Sequence, residues 1–238
     1  MVVGAGLGLR YGGKTPKPAL KVTGRTLMVM SIEAMAAGGC TDAVVVVNDQ
    51  VAKQLGPELA ALPIPVKQVP GGASRQESVY NGLKAVRDDE RLSHAEVVLV
   101  HDAVRPMVPA KVVSAVIEAV QGGAEAVAPA IPVADSMRIL DPGGGSAVID
   151  RSLLRAIQTP QGFPLQLILE AHEKMAASGC GRIILNGRSA PRAAPVTGRP
   201  ARSWMRRTRA TSASDSQPRR RDSSAAITAP AATASPCS

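Results

Sequence analysis

The sequence predicts an α/β protein built on a doubly wound, mostly parallel sheet. Short runs of β-branched residues recur at regular intervals through residues 1–180, and amphipathic helical patterns separate them. One run, Val97–Val100, is apolar on both faces, as expected of a central strand that helices cover on both sides. Alternation of strands and helices favours right-handed crossovers and a single sheet with helices on each face.

The elements follow in order along the chain. Strands are predicted at residues 1–3, 43–47, 66–69, 96–100 and 126–130, and helices at 26–37, 50–60, 74–86 and 109–121. In the last helix, Val113, Val116 and Val120 fall on one face, opposite polar residues. Ligands of such sheets bind beyond the carboxyl ends of the strands, so we expect the chemistry there. The loops concerned follow Val3, Val69, Val100 and Ala130.

Residues 132–158 break this alternation. The run Asp141-Pro142-Gly143-Gly144-Gly145 is a strong turn signal, and it lies between two short extended runs at 136–140 and 146–149. We therefore expect a β-hairpin arm over residues 132–155 that projects from the sheet. A two-stranded arm is marginally stable alone, so it needs another surface to pack against. The simplest source of that surface is a second copy of the chain in a homodimer.

The sequence argues against a membrane-spanning, secreted, zinc-binding or disulfide-rich protein. The uninterrupted apolar stretches are too short for a transmembrane helix, and the N-terminus has no basic region followed by a long apolar one. The three cysteines, Cys40, Cys180 and Cys237, have neither zinc-site nor disulfide-framework spacing. We expect a cytoplasmic protein with no membrane partner.

Residues 181–238 differ in composition from the rest. Residues 1–180 hold 8 Lys and 9 Arg against 17 acidic residues, whereas residues 181–238 hold 11 Arg, no Lys and two Asp, so the net charge of +9 lies in this segment. Residues 181–238 have few large apolar residues, and those follow neither a helical nor a strand period. The segment is therefore predicted to be a disordered tail. A nucleic-acid-binding tail is a weaker alternative, and a shifted reading frame in GC-rich DNA would explain the composition best.

A glycine-rich loop, Gly4-Ala5-Gly6-Leu7-Gly8-Leu9-Arg10, follows the first strand, where main-chain N–H groups can cradle phosphate. The glycine spacing does not fit the Rossmann pattern. A Walker A pattern ends at Lys14-Thr15, but Pro16 and Pro18 prevent the helix that a P-loop requires there. What remains is a loop with two cations, Arg10 and Lys17, for which a solvated turn is the plain alternative.

Four ordered motifs carry a resemblance to a known family. They are Gly4-x-Gly6-x-Gly8-x-Arg10-x₅-Pro16-Lys17, GGASRQESV at residues 71–79, HDAVRP at 101–106 and QTPQGF at 158–163. With two arm segments, they make residues 3–177 resemble 2-C-methyl-D-erythritol 4-phosphate cytidylyltransferase, a CTP-dependent enzyme of the non-mevalonate isoprenoid pathway. The resemblance implies a glycosyltransferase-A-like nucleotidyltransferase domain over residues 1–180. Nothing after Gly179 resembles the family's Thr-Asp-Asp segment, final strand or Lys-x-Thr motif.

The resemblance also implies a reaction and a set of site residues. CMP would pass from CTP to the sugar-alcohol phosphate with release of pyrophosphate. The implied residues are Arg10, Lys17 and Arg151 for catalysis; Ala5, Gly6, Gly8, Gly71, Gly72, Ser78 and Asp102 for the nucleotide; and Arg105, Ser136 and Thr159 for the acceptor. Mg²⁺ would be held mainly by the triphosphate, so no protein metal ligand is named. Part of the acceptor site would come from the partner's arm in a homodimer.

Two other hypotheses stay open at this point. A pentitol-phosphate (ribitol 5-phosphate) cytidylyltransferase shares the glycine loop and the His-Asp-Ala-x-Arg-Pro pattern. A non-catalytic remnant is a hypothesis of another class, because the family's C-terminal motifs are missing. For the same reason, we expect turnover by this chain to be impaired.

Overall fold

A computed structural model of the protein describes residues 1–6, 15–178 and 225–229, with the main chain alone for residue 178 and the last five. The strands are β1 (Val2–Val3), β2 (Lys21–Val22), β3 (Arg25–Thr26), β4 (Ala43–Val47), β5 (Val66–Pro70), β6 (Val97–Asp102), β7 (Ala126–Pro132), β8 (Arg138–Leu140), β9 (Ser146–Val148), β10 (Arg155–Ile157), β11 (Gln161–Pro164) and β12 (Ala225–Ala229). The helices are α1 (Leu27–Ala37), α2 (Asp49–Ala60), α3 (Arg75–Arg87), α4 (Ala110–Gln121) and α5 (Leu165–Ser178). The strands and helices predicted up to residue 130 are confirmed, with bounds within two residues.

The main sheet has the strand order β5-β4-β1-β6-β11-β7-β10, and β12 also pairs with β7. Its strands β5, β4, β1 and β6 are parallel, and β11 runs antiparallel between β6 and β7. Since β7 is antiparallel to β11, it is parallel to β6, and the predicted mostly parallel sheet is confirmed. Two further elements, β11 and α5, were not predicted from the sequence. Strand β11 lies within the sheet, and α5 belongs to the second helical layer.

Helices cover both faces of the sheet, as the apolar strand pattern predicts. Within β4, the odd-numbered residues 43, 45 and 47 belong to a core with buried residues of α1, α2 and α4. The even-numbered residues 44 and 46 belong to a second core with buried residues of α3 and α5. This alternation is the two-residue period of a strand that is buried on both sides.

The predicted arm is present as the hairpin β8–β9, paired from Arg138↔Val148 to Leu140↔Ser146. Its turn is closed by Asp141, whose Oδ1 accepts from the Gly143 N–H at 3.0 Å, and Gly144 has a φ of +84° that favours glycine. Leu140 is 79% exposed and Val148 74% exposed. The arm therefore presents apolar side chains that its own chain does not cover.

A short strand from the Arg-rich residues 181–238 pairs with β7 on the side opposite to β11. β12 pairs antiparallel with β7 from Ala225↔Ala130 to Ala229↔Ala126. The sequence shows no strand pattern here, but sheet pairing uses main-chain N–H and C=O groups, so an Ala-rich segment can pair with an unpaired edge. Residues 179–224 and 230–238 lie outside the described residues, and most of the predicted disordered tail lies there. Within the described ranges, no helix is both long and apolar enough to cross a membrane.

Candidate functional site

Three loops begin side by side at the carboxyl edge of the parallel strands. The register pairs Val3 with Val46 and with Asp102, and Val47 with Pro70, so β1, β4, β5 and β6 end at one level. The loops are then tied to neighbouring strands by main-chain hydrogen bonds. The Gly4 N–H donates to Val46 O at 2.8 Å, the Gly71 N–H to Val47 O at 3.0 Å, and the Ala103 N–H to Val3 O at 3.0 Å.

Close packing at Gly4 fixes the segment that carries Lys17. A Cβ at Gly4 would lie 2.7 Å from Met28 Cε and 3.0 Å from Pro18 Cγ, so no larger residue fits without displacing them. Lys17 begins a short 3₁₀ turn, Lys17–Ala19, between the buried residues Pro16 and Pro18. The next helix starts only at Leu27, so the exclusion of a P-loop helix after Thr15 is confirmed.

The glycine loop after β1 is only partly described. Ala5 is half-buried and Gly6 exposed at this edge, whereas Gly8 and Arg10 lie in the stretch 7–14, outside the described residues. A Cβ at Gly71 would lie 2.1 Å from Ala5 Cβ, so the loops after β1 and β5 touch each other. The predicted nucleotide-binding residues Ala5, Gly6, Gly71 and Gly72 are thus brought together.

Helix α3 begins with a capping arrangement that shapes the Gly71–Gly72 turn. Ser74 Oγ accepts from the Glu77 N–H at 3.0 Å, and Glu77 Oε2 accepts from the Ala73 N–H at 2.8 Å. A Cβ at Gly72 would lie 2.3 Å from Glu77 Cγ, so glycine is required where the loop passes this side chain.

Ser78 supports this turn from beneath. It is 2% exposed; its hydroxyl donates to Ser74 O at 2.8 Å and accepts from the Gly72 N–H at 3.0 Å. The hydroxyl proton is therefore used within the protein. The role in base reading that the resemblance implies stays a prediction, and the contact that the geometry gives Ser78 is with the turn.

Asp102 lies at the end of β6 between two arginines. Its Oδ1 accepts from Arg75 Nη2 at 3.0 Å and from Arg75 Nε at 3.3 Å, and its Oδ2 accepts from Arg105 Nε at 3.2 Å. Arg105 Nη1 also donates to Gln158 Oε1 at 2.6 Å. The side chains of Asp102, Arg75 and Arg105 are 26%, 54% and 45% exposed, so the cluster is open to solvent. With two cations on one carboxylate, it carries net positive charge.

Sequence reasoning missed Arg75 as a site residue. It stands in the GGASRQESV motif at the first residue of α3, and the signal available was its place in that motif directly after a loop at the carboxyl edge. Only the strand order β5-β4-β1-β6, which the sequence does not give, brings the start of α3 near the end of β6 and its side chain to Asp102.

A buried histidine lies beneath the cluster. His101 is fully buried; its Nδ1 lies 3.0 Å from Thr159 Oγ1 and its Nε2 lies 3.1 Å from Arg105 O. A carbonyl oxygen only accepts, so Nε2 carries the proton and Nδ1 accepts from the Thr159 hydroxyl. Burial lowers the pKa of His101 to about 4, against the weaker opposing effects of the Arg105 carbonyl and the Asp102 charge. The imidazole is therefore neutral at physiological pH.

Thr159 is 8% exposed, and its hydroxyl has two partners inside the protein. It donates to His101 Nδ1 and accepts from the Asp102 N–H at 3.4 Å. Its predicted contact with the acceptor stays a prediction; the geometry gives it a place under Asp102.

The remaining predicted residues lie in the arm. Ser136 and Arg151 are exposed, and Arg151 Nη1 donates to Ala134 O at 2.6 Å, within the arm itself. No group of three or more His, Cys, Asp or Glu side chains that could hold a metal ion occurs among the described residues.

Comparison with known proteins gives a consistent result. The family model for 2-C-methyl-D-erythritol 4-phosphate cytidylyltransferase matches residues 1–183. The enzyme of that name from Streptomyces avermitilis is 41% identical over 186 residues, which cover 73% of this chain and 72% of the relative. The one from Saccharopolyspora erythraea is 40% identical over 182 residues, covering 75% and 79%.

Solved structures with the same fold bear similar names. The 4-diphosphocytidyl-2C-methyl-D-erythritol synthase of Anaerococcus prevotii superposes with a TM-score of 0.65 at 27% identity, covering 76% of this chain and 75% of that one. The 2-C-methyl-D-erythritol 4-phosphate cytidylyltransferase of Thermus thermophilus gives a TM-score of 0.58 at 30% identity, covering 76% and 77%.

Proposed function

Because the chain belongs to the 2-C-methyl-D-erythritol 4-phosphate cytidylyltransferase family, we propose that it transfers CMP from CTP to 2-C-methyl-D-erythritol 4-phosphate and releases pyrophosphate. Cytidylyltransferases are nucleotidyltransferases, so the chain is of an enzyme family. In the reaction, an acceptor phosphate oxygen bonds to the α-phosphorus of CTP, and the bond from that phosphorus to the oxygen bridging to the β-phosphate breaks.

One observation carries this proposal: two glycine loops, the Lys17 segment and the Asp102–Arg75–Arg105 cluster meet at one edge of the sheet. Glycine loops expose main-chain N–H groups to phosphate oxygens, and the cations add charge at the same place. Such an edge is suited to a triphosphate beside a phosphorylated acceptor.

The chemistry needs no general base. A phosphate monoester has a second pKa of about 6 and is mostly a dianion at neutral pH. His101 is buried with both ring nitrogens hydrogen-bonded, so it does not serve as a base for a bound substrate. Positioning and charge stabilisation are then the work of the site, for which Lys17, Arg10 and Arg105 are the proposed cations.

Mg²⁺ fits this edge in a limited way. Asp102 offers carboxylate oxygens there with 26% side-chain exposure, and Mg²⁺ often uses one or two carboxylates together with substrate phosphates and water. We propose that Asp102 faces the metal–triphosphate complex, where the ion would offset negative charge on the phosphates. Oδ2 accepts from Arg105 Nε and has a second lone pair that would face the ion.

We also propose that the arm binds a second copy of the chain. Leu140, Val148 and Leu153 are each at least 74% exposed, which is unfavourable unless another surface covers them. Ser136 and Arg151 would then reach the partner's site and bind the acceptor phosphate there. The cytoplasmic location expected from the sequence stays a prediction.

The acceptor and the effect of the C-terminal segment are tested together. Purified chain is incubated with each of the four ribonucleoside triphosphates and either 2-C-methyl-D-erythritol 4-phosphate or ribitol 5-phosphate, and pyrophosphate release is measured. We expect release with CTP and the methylerythritol phosphate, at a rate reduced by the missing family C-terminus. Release only with ribitol 5-phosphate would move the chain to the pentitol-phosphate alternative.

A matched chain that carries a family-like C-terminus after residue 179 is assayed beside it. Losing one electrostatic contact from the missing Lys-x-Thr motif is worth about 10²–10³-fold in rate. Equal rates would show that the native segment does not impair turnover. Absence of pyrophosphate release from both chains would favour the hypothesis of a non-catalytic remnant.

A further inference from the structure

We propose that His101 is a positioning residue: through its two ring nitrogens it fixes the Arg105 main chain and the Thr159 hydroxyl, and thereby the geometry of the Asp102–Arg105 pair. No role for this histidine follows from the reaction itself, which needs no base. The inference rests on the proposed function for its consequence in acceptor binding, but its structural part can be tested without turnover.

The hydrogen bonds form a chain that ends on both charged residues. His101 Nε2–H donates to Arg105 O at 3.1 Å, which holds the turn that carries the guanidinium. Thr159 Oγ1–H donates to His101 Nδ1 at 3.0 Å, so its lone pairs are left for the Asp102 N–H at 3.4 Å. One side chain thus constrains residues 102 and 105 through their main-chain atoms.

The arrangement depends on the imidazole being neutral with its proton on Nε2. A neutral ring with its proton on Nδ1 would leave Nε2 as an acceptor facing the Arg105 carbonyl, itself an acceptor, so the hydrogen bond that holds residue 105 would be lost. The depressed pKa of His101, caused mainly by burial, is consistent with this requirement. Charged groups near the ring are Asp102, Arg105 and the amino terminus of Met1.

The chain offers a matched control in a second buried histidine. His172 of α5 is 5% exposed, burial also lowers its pKa to about 4, and its ring stacks on Tyr80 with centroids 5.7 Å apart. Its ring packs on Tyr80 of α3 rather than on Arg105 or Thr159, so its replacement tests the cost of losing a buried imidazole alone.

Four variants of the full chain separate the two hydrogen bonds. His101→Gln keeps a donor at the Nε2 position toward Arg105, and His101→Asn keeps an acceptor at the Nδ1 position toward Thr159. Thr159→Val removes the hydroxyl at nearly constant volume, and Thr159→Ser retains it. If the His101 variants fail to fold, the Arg105 signal of the Thr159 pair still decides the question, because that readout needs no substrate and does not depend on whether Thr159 also contacts the acceptor.

The first readout is the ¹⁵N–¹H spectrum, which needs no substrate. We expect the Arg105 Nε–H signal, assigned by its loss in Arg105→Lys, to exchange faster or broaden in Thr159→Val and His101→Asn. It should stay as in the native chain in Thr159→Ser and in His172→Gln. An unchanged Arg105 signal in both Thr159→Val and His101→Asn would overturn the positioning role.

The second readout is calorimetric binding of CTP and of 2-C-methyl-D-erythritol 4-phosphate in the presence of CTP and Mg²⁺. Loss of a hydrogen bond that orients a charged group is worth about tenfold in affinity, so we expect His101→Asn to weaken acceptor binding about tenfold and CTP binding less than twofold. Thr159→Val should weaken acceptor binding at least as much, because Thr159 is also a predicted acceptor contact. Rescue by Thr159→Ser completes the expected pattern. Equal weakening for both ligands, or the same loss in His172→Gln, would overturn the proposal.

The two failures are distinguishable. If the native chain binds neither ligand while the Arg105 signal responds as expected, the proposed function fails and the positioning role stands. If the native chain binds both ligands and no variant changes the Arg105 signal or acceptor affinity, the positioning role fails alone.

Discussion

The carboxyl edge of the sheet and the hairpin arm differ in how far their side chains are buried and in what those side chains contact. At the edge, Ser78 and His101 are 2% and 0% exposed, and their hydrogen bonds hold loops of the same chain. In the arm, Leu140 and Leu153 are both 79% exposed, and Arg151 bonds to the neighbouring Ala134 O. The edge is preorganised by its own chain, whereas the arm leaves large apolar side chains uncovered by its own chain.

This difference separates two kinds of loss of function. A substitution at the edge should alter chemistry or nucleotide binding and leave the assembly intact. A change in the arm should alter assembly and activity together. The following predictions test that division, and those on activity refer to a chain with a family-like C-terminus so that basal turnover is measurable.

Replacing Lys17 by Ala should have the largest effect. If Lys17 stabilises charge in the transition state, its loss costs about 3 kcal/mol or more in barrier, which is roughly 10²-fold in kcat. The KM for CTP should change less than kcat, and the oligomeric state should not change. Lys53→Ala on the exposed side of α2 is the matched control. Near-normal kcat in Lys17→Ala would return Lys17 to a surface role.

Acid between pH 7 and 5 should destabilise the folded chain through two buried histidines, neither of which lies in the arm. Burial holds the folded-state pKa of His101 and of His172 at about 4, below the ordinary value of 6.5. Unfolding therefore takes up protons as the pH falls from 6.5 toward 4, and stability should decline by up to about 1.4 kcal/mol per pH unit for each histidine.

Urea unfolding at pH 7.0, 6.0 and 5.0 measures this slope. His172→Gln removes one of the two groups and should reduce the slope to about half while leaving the acid response of His101. A slope that is the same with and without His172 would contradict burial of that ring as the cause.

Deleting Asp141–Gly145 should shift the protein toward monomer and lower activity about tenfold, because one lost set of substrate contacts is worth about 1.4 kcal/mol. Light scattering and pyrophosphate release are measured on the same samples. CTP binding should be retained, since the edge loops are unchanged. An undiminished dimer after the deletion would reject the arm as the dimer contact.

Ser78→Ala should have the smallest effect of the four. It leaves the Gly72 N–H without its partner, while Ser74 O keeps the Ser78 N–H; this costs about 1–2 kcal/mol of stability and raises the KM for CTP a few-fold. Ser114→Ala is a control for losing a helix serine outside the edge, because Ser114 makes a more exposed bond to Lys111 O on α4. Loss of cytosine discrimination without loss of stability would instead assign Ser78 to base reading.

The fold up to residue 130 is predictable because β4 and β6 are β-branched runs buried along both faces and because α2 and α4 keep a clear apolar face. Strand β11 lacks that signal, since it is four residues long, ends at Pro164 and contains Gly162, where a Cβ would lie 2.5 Å from Val116 Cγ1. For α5 the signal exists in the spacing of Leu165, Ile168 and Leu169, but it stands directly after β11 without a loop.

The site was predictable as a set of loops but not as a set of contacts. Motif spacing places Asp102 and Arg105 at the end of a strand. It does not show that the hydroxyls of Ser78 and Thr159 donate hydrogen bonds to groups of the protein itself, or that Arg75 contacts Asp102. Those facts depend on the strand order β5-β4-β1-β6 and on the pairing of β6 with β11, which bring together residues far apart in sequence.

The central claim is that the edge of one chain works with the arm of another, and mixing two inactive variants tests it most directly. Lys17→Ala damages the edge and Arg151→Ala damages the arm. In a mixed dimer one site would combine both defects and the other would be intact. With random mixing, about a quarter of native activity should return. No recovery on mixing, with mixed dimers demonstrated by differently tagged chains, would show that each chain's arm serves its own site and would contradict the account.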